Sequence, residues 1–246
     1  MKRFCALTTI LFLGFHLAPC QEEWGVLLAD PVYRIISVDG DVSDWDGVNP
    51  AYIDSIGDQN GSPFDFAAAY IANDENNLYI RISFAEPSPF GESGWLVNVV
   101  FNTDLDAGTG YGFAGLTGSE FFIQSGGVFD QRSGQNFVDV VEQTAENNWG
   151  AFASADTAPY EETRDVEIAL ARDLTFSDDE NGLPGLLNPD DLPLFEYPDF
   201  IILFEAENLE YASVEFMPNA DPNGGESGLL YEFAGKPAKV PVWDLY

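Results

Sequence analysis

This sequence predicts an all-β fold, an antiparallel β-sandwich formed as one domain. Three observations predict it. Apolar residues recur at every second position in several segments. Clusters of Gly, Pro, Asn, Asp and Ser separate those segments at short intervals. No long amphipathic helical period is present, and about ten to twelve strands account for the patterned segments.

The segments follow one another in a consistent way. "FDFAAAYIA" (64–72) is apolar on both faces over part of its length, which marks a strand covered from two sides. "NDENN", Asn73 to Asn77, is a polar hairpin. "NLYIRISF" then alternates cleanly, with Leu78, Ile80, Ile82 and Phe84 on one face and Asn77, Tyr79, Arg81 and Ser83 on the other. "GWLVNVVF" (94–101) is another two-sided strand. "SGG", Ser125 to Gly127, joins "EFFIQ" to "VFDQ". "DVEIAL" sets Val166, Ile168 and Leu170 opposite Asp165 and Glu167, and "LARDLTF" offers a short helical turn. Ser177 to Pro193 is the longest expected loop, and "DFIILF", Asp199 to Phe204, is apolar throughout.

The N-terminal residues have the pattern of an export signal. A basic "MKR" precedes the apolar run "FCALTTILFLGFHLA" and the small-residue stretch "APCQ". The expected division is a signal peptide over 1–20 and the β-sandwich domain over 21–246. The expected location is secreted, cell-surface or periplasmic. "LAPC" also resembles a lipobox, so attachment to a membrane is expected only if Cys20 is lipidated.

With residues 1–20 set aside, the chain has no histidine, because His16 is the only one, and no paired cysteine, because Cys5 and Cys20 are the only two. Ser-His-Asp and Cys-His catalysis and thiol or imidazole zinc sites then fall away, as does disulfide stapling. Oxygen atoms and aromatic rings remain. Nine Lys and Arg against 42 Asp and Glu give a net charge of −33, which repels nucleic acid and attracts cations.

The turn "FNTDLDAGTGYG" is the clearest cation candidate. Asp104 and Asp106 lie two apart and point the same way on extended chain. Gly108 and Gly110 let the backbone bend inward, Thr109 offers a hydroxyl or carbonyl, and Glu120 begins the next strand. "DSIGD" adds Asp54 and Asp58, and Asp65 opens the strand after it. A hard cation, Ca²⁺ in a structural role, suits such a donor set, with Asp104, Asp106, Glu120 and Asp58 as the expected ligands.

Taken in order, "DGDVSDW", "NDENNLYIRI", "DLDAGTG", the acid before "FFIQ", and "RDVEIALA" resemble the DOMON-like group, close to family 9 carbohydrate-binding modules. The resemblance spans roughly Ile36 to Ala171, with a weaker echo in the closing strands. It implies a lectin-like jelly roll, a sugar-binding role without chemistry of its own, and structural calcium. It also implies that Trp45 closes one end of the sandwich. One branch of the group binds haem through Met and His. That branch is excluded here by the missing histidine.

Sugar rings stack on aromatic faces while hydroxyls take polar partners. The expected contacts to a polysaccharide or oligosaccharide are Trp149, Tyr111 and Trp95 with Asn148, and Trp243 is a further rim aromatic. A structural or adhesive surface protein is the alternative for the same fold. An enzyme is the lesser alternative: "EAENLE" spaces Glu205, Glu207 and Glu210 like the E-x-D-x-x-E of jelly-roll family 16 glycoside hydrolases, but with Glu in the middle.

Overall fold

A computed structural model describes residues 26–58, 64–88, 95–113, 116–124, 127–132, 138–142, 150–154, 163–176, 184–186, 192–208, 213–218 and 227–235. Among them are eighteen strands and one 3-10 turn, Val42–Trp45. The first nine strands are β1 Val26–Leu28, β2 Tyr52–Ile53, β3 Phe66–Asn73, β4 Asn77–Ser88, β5 Trp95–Asn102, β6 Tyr111–Phe113, β7 Leu116–Ser119, β8 Phe121–Gln124 and β9 Gly127–Asp130. The rest are β10 Val138–Glu142, β11 Gly150–Ser154, β12 Thr163–Ala171, β13 Leu174–Phe176, β14 Pro184–Leu186, β15 Leu192–Pro193, β16 Asp199–Asn208, β17 Ser213–Met217 and β18 Gly228–Glu232.

Two sheets form the sandwich. The larger has the order β1-β18-β16-β5-β8-β9-β10, with β17 also paired to β16. The smaller has the order β11-β12-β4-β3-β2. Every named pairing is antiparallel except β1 with β18. The core lies between the sheets. Leu78, Ile80, Ile82 and Phe84 of β4 and Val166, Ile168 and Leu170 of β12 meet Val97, Val99, Phe101, Ile202 and Phe204 from the larger sheet. These are the alternating positions that the sequence assigns to the core. Burying a large apolar side chain is worth about 1.5–3 kcal/mol, so this interface supplies the main drive for folding.

The two-sided strands are also found where the sequence puts them. β5 and β16 lie inside the larger sheet, and on their other faces Val100, Ile201 and Leu203 join Leu116, Phe122 and Phe129 of β7, β8 and β9 in a second apolar cluster. The hairpin at Asn73–Asn77 forms because the Asp74 carboxylate accepts from Asn76 N at 2.6 Å and Asn77 N at 2.7 Å, an Asx-type turn.

Four expectations change. Short pieces raise the strand number among the described residues to eighteen. "LARDLTF" makes no helix: β12 ends at Ala171 and β13 begins at Leu174, with Arg172 N bonded to Asn76 O at 2.8 Å. Within Ser177–Pro193, β14 and β15 pair with β13 as a small three-stranded sheet. Trp45 packs with Ile36, Val48, Ala72, Tyr79 and Ala169, on side chains of β3, β4 and β12 that face away from the main core. It therefore covers an outer face of the smaller sheet. Tyr79 is buried there, although alternation alone assigns it to water.

Candidate functional site

The Asp104 turn is built from β5 and the strands that follow it. Glu120 N donates to Phe101 O at 3.0 Å, which seats Glu120 beside the end of β5. Its carboxylate lies buried under the exposed turn and accepts from Thr103 N at 2.8 Å. Asn102 Oδ1 accepts from Leu105 N at 2.7 Å, while Leu105 adopts φ of +59°. Gly110, at φ +56°, approaches so closely that a Cβ there would stand 2.1 Å from Ser119 O and 2.7 Å from Glu120 Oε1. Only glycine fits that approach.

Three oxygens converge on the Thr109 hydroxyl: Asp104 Oδ2 at 2.8 Å, Asp106 O at 2.9 Å and Glu120 Oε1 at 3.2 Å. A hydroxyl carries one proton and can donate to one of them. The other two contacts set oxygen lone pairs against each other unless positive charge enters. Burial, and next the nearby Asp104, push the Glu120 carboxyl up to about 7, so a proton is one source of that charge. A hard cation is the other. The all-oxygen donor set fits it, with Asp104, Glu120, Thr109 and the Asp106 carbonyl in reach.

The four expected metal ligands divide between two places. Asp104, Asp106 and Glu120 share this turn, but the Asp106 carboxylate faces outward and accepts from Gly108 N at 2.8 Å, leaving its carbonyl to point inward. Asp58 gathers with Asp54 and Glu215.

Of the expected sugar contacts, Tyr111 lies half-buried on β6 opposite Ser119. Trp95 opens β5 opposite Asn208, and its side chain is outside the described residues. Trp149, Asn148 and Trp243 lie outside the described residues, as do the signal segment 1–20 and Glu210. "EAEN" runs within β16, paired with β17.

A second polar feature crosses the larger sheet. Gln124, Asn98, Glu205 and Phe216 are register neighbours on β8, β5, β16 and β17. Gln124 Nε2 donates to Asn98 Oδ1 at 2.8 Å, and Asn98 Nδ2 donates to Glu205 Oε2 at 2.6 Å. The row lies on the face away from the main core, beside Phe122, which stacks on Phe129 at 4.5 Å. Asn98 and Glu205 are buried, and the row ends in half-buried Gln124 and Phe216. The sequence signal was present in part: Asn98 interrupts the apolar run "WLVNVVF", while Gln124 and Glu205 follow the apolar runs "FFI" and "IILF". Such an interruption needs a polar partner, and here the partners are each other.

Fold and site together define an acidic β-sandwich with an oxygen-rich turn and a polar row across one sheet. No family model and no curated protein matches the chain. Among solved structures it is similar to a family 9 carbohydrate-binding module from Caldicellulosiruptor kristjanssonii in complex with cellotriose, at 12% identity and a TM-score of 0.41, over 87% of this chain and 99% of that one. The same module in complex with glucose aligns at 11% identity and a TM-score of 0.41, over 84% and 97%. No helix of the described residues is long and apolar enough to cross a membrane.

Proposed function

We propose that this protein is a non-catalytic glycan-binding β-sandwich of the extracellular or cell-surface space, with calcium fixing the Asp104 turn. The row Gln124–Asn98–Glu205–Phe216 is the observation that carries the reading. Amide, carboxylate and aromatic groups held in one line across a rigid sheet are the partners that sugar hydroxyls and C–H faces take. Its half-buried ends, Gln124 and Phe216, are the members of the row that a ligand would meet. The ordered motifs that resemble family 9 modules agree with it, and the expected rim aromatics Trp149, Trp95 and Tyr111 add stacking faces. Calcium at Asp104, Glu120, Thr109 and the Asp106 carbonyl supplies the positive charge that the converging oxygens need. Its role is to hold the turn beside β5, the strand that carries Asn98.

Calorimetric titration with soluble polysaccharides and oligosaccharides, with calcium present and after chelation, tests the reading. Saturable binding without release of reducing sugar is expected. Flat titrations across a broad panel would favour a structural surface protein, and reducing-sugar release would make it an enzyme.

A further inference from the structure

We infer that Asp54, Asp58 and Glu215 form a second cation site, separate from the Asp104 turn, that clasps the two sheets together. Asp54 follows β2 of the smaller sheet, and Glu215 lies on β17 of the larger one. One carboxylate oxygen from each of Asp54, Asp58 and Glu215 lies within 4.8 Å of the others.

The acids alone are not the argument. Asp54 is 6% exposed and neither of its carboxylate oxygens has a hydrogen-bond partner; Glu215 is 5% exposed and its Oε2 has none. Burying an unpaired carboxylate is expensive, and here two buried ones lie together with the exposed carboxylate of Asp58. The rest of the surroundings is already committed. Glu215 Oε1 accepts from Phe66 N at 3.1 Å, on β3. Asp65, next to Phe66, spends both its oxygens on Gly57 N, each at 3.0 Å, and so pins the Asp54–Asp58 loop in place. Gly57 takes φ +93°, which carries that loop round toward β17.

Protein cations do not answer the charge among the described residues. Arg81, Arg132 and Arg164 pair with Asp165, Asp130 and Glu86, and Arg34 and Arg172 donate to the carbonyls of Asp46 and Asp74. In the proposed site a bound cation answers it. The donors are all carboxylate oxygens, and Asp58 is exposed and can close over an ion entering from solvent. That donor set suits calcium, which takes roughly six to eight oxygens with flexible geometry, water included. A proton shared between Asp54 and Glu215 is the competing way to remove the charge, and it needs no metal.

The site stands independently of the glycan reading and of the Asp104 turn. The test is calcium titration of the chelated full-length protein by calorimetry, in wild type, Asp58→Asn, Glu215→Gln and Asp104→Asn. Asp58→Asn leaves the buried pair in place, so folding is not at issue, and it should weaken one calcium event by about tenfold or more. Asp104→Asn should leave that event unchanged. Glu215→Gln should melt higher than wild type in chelator and lose most of the calcium-induced rise. Hydrogen exchange in the Asp54–Asp58 loop and β17 should slow on adding calcium to wild type and Asp104→Asn, and not to Asp58→Asn or Glu215→Gln. Calcium isotherms of Asp58→Asn and Glu215→Gln that superimpose on wild type would overturn the site, as would a wild type that binds no calcium. In either case the shared proton is left as the explanation.

Discussion

Trp45 and Glu167 stand 122 residues apart in the chain, and the indole Nε1 of the first donates to Oε1 of the second at 2.7 Å. Glu167 Oε2 accepts from Gly40 N at 2.9 Å. One carboxylate on β12 thus holds both the turn at Gly40 and the ring that covers the smaller sheet. Burial raises the Glu167 carboxyl above its ordinary range despite these donors, because all of its side chain is removed from water.

Glu167→Gln keeps one acceptor and turns an amide N–H toward the Gly40 N–H. A buried donor left unsatisfied costs about 1–3 kcal/mol. Urea unfolding should show a loss of that size with the m-value unchanged. Trp45→Phe should cost a similar amount, through the orphaned carboxylate oxygen and the smaller ring.

Stability in chelator should rise as the pH falls from about 8 to about 6. Burial first, and neighbouring acids next, push Glu120 and Asp54 up to about 7 and Glu215 up to about 9. Across that window the folded state therefore binds more protons than the unfolded one, so each step toward higher pH favours unfolding. Calcium should flatten or reverse the trend, since it needs the anions. Melting temperatures at several pH values, with chelator and with calcium, check the sign.

Gly110→Ala places a Cβ 2.1 Å from Ser119 O at φ +56°. An alanine forced into such a conformation costs more than about 1 kcal/mol. Thermal unfolding should show that loss. Calcium affinity at the turn should fall with it, because Glu120 Oε1 stands only 2.7 Å from the same Cβ.

Thr109→Val removes the hydroxyl on which Asp104, Asp106 and Glu120 converge. It should weaken the Asp104 calcium event while leaving the Asp58-dependent event intact, and difference isotherms against Asp58→Asn separate the two.

Alternation made β4 and β12 legible in the sequence, because a half-buried strand must put its apolar residues on one face. Apolar residues on both faces marked β5 and β16, because a strand covered from two sides buries both. The Asp104 turn was legible too, since glycines beside closely spaced acids mark a bend in the chain. The Asp54–Glu215 pairing was not. Those residues lie 161 positions apart in the chain, and only the packing of β17 against β3 brings them together. Trp45 was placed at the wrong surface because local pattern says nothing about which face a connecting segment covers. The row from Gln124 to Phe216 depends on the register of four strands, and register is set by neighbours that sequence order does not reveal.

Glycan binding by the polar row is the central claim, and affinity for a soluble oligosaccharide panel before and after Gln124→Ala tests it most directly. Gln124 ends the row at a half-buried position, so the variant should fold normally. The account predicts saturable binding in wild type and a weakening of about tenfold, near 1.4 kcal/mol, in the variant. Wild-type protein that binds no member of the panel, or a variant that binds as tightly as wild type, would contradict it.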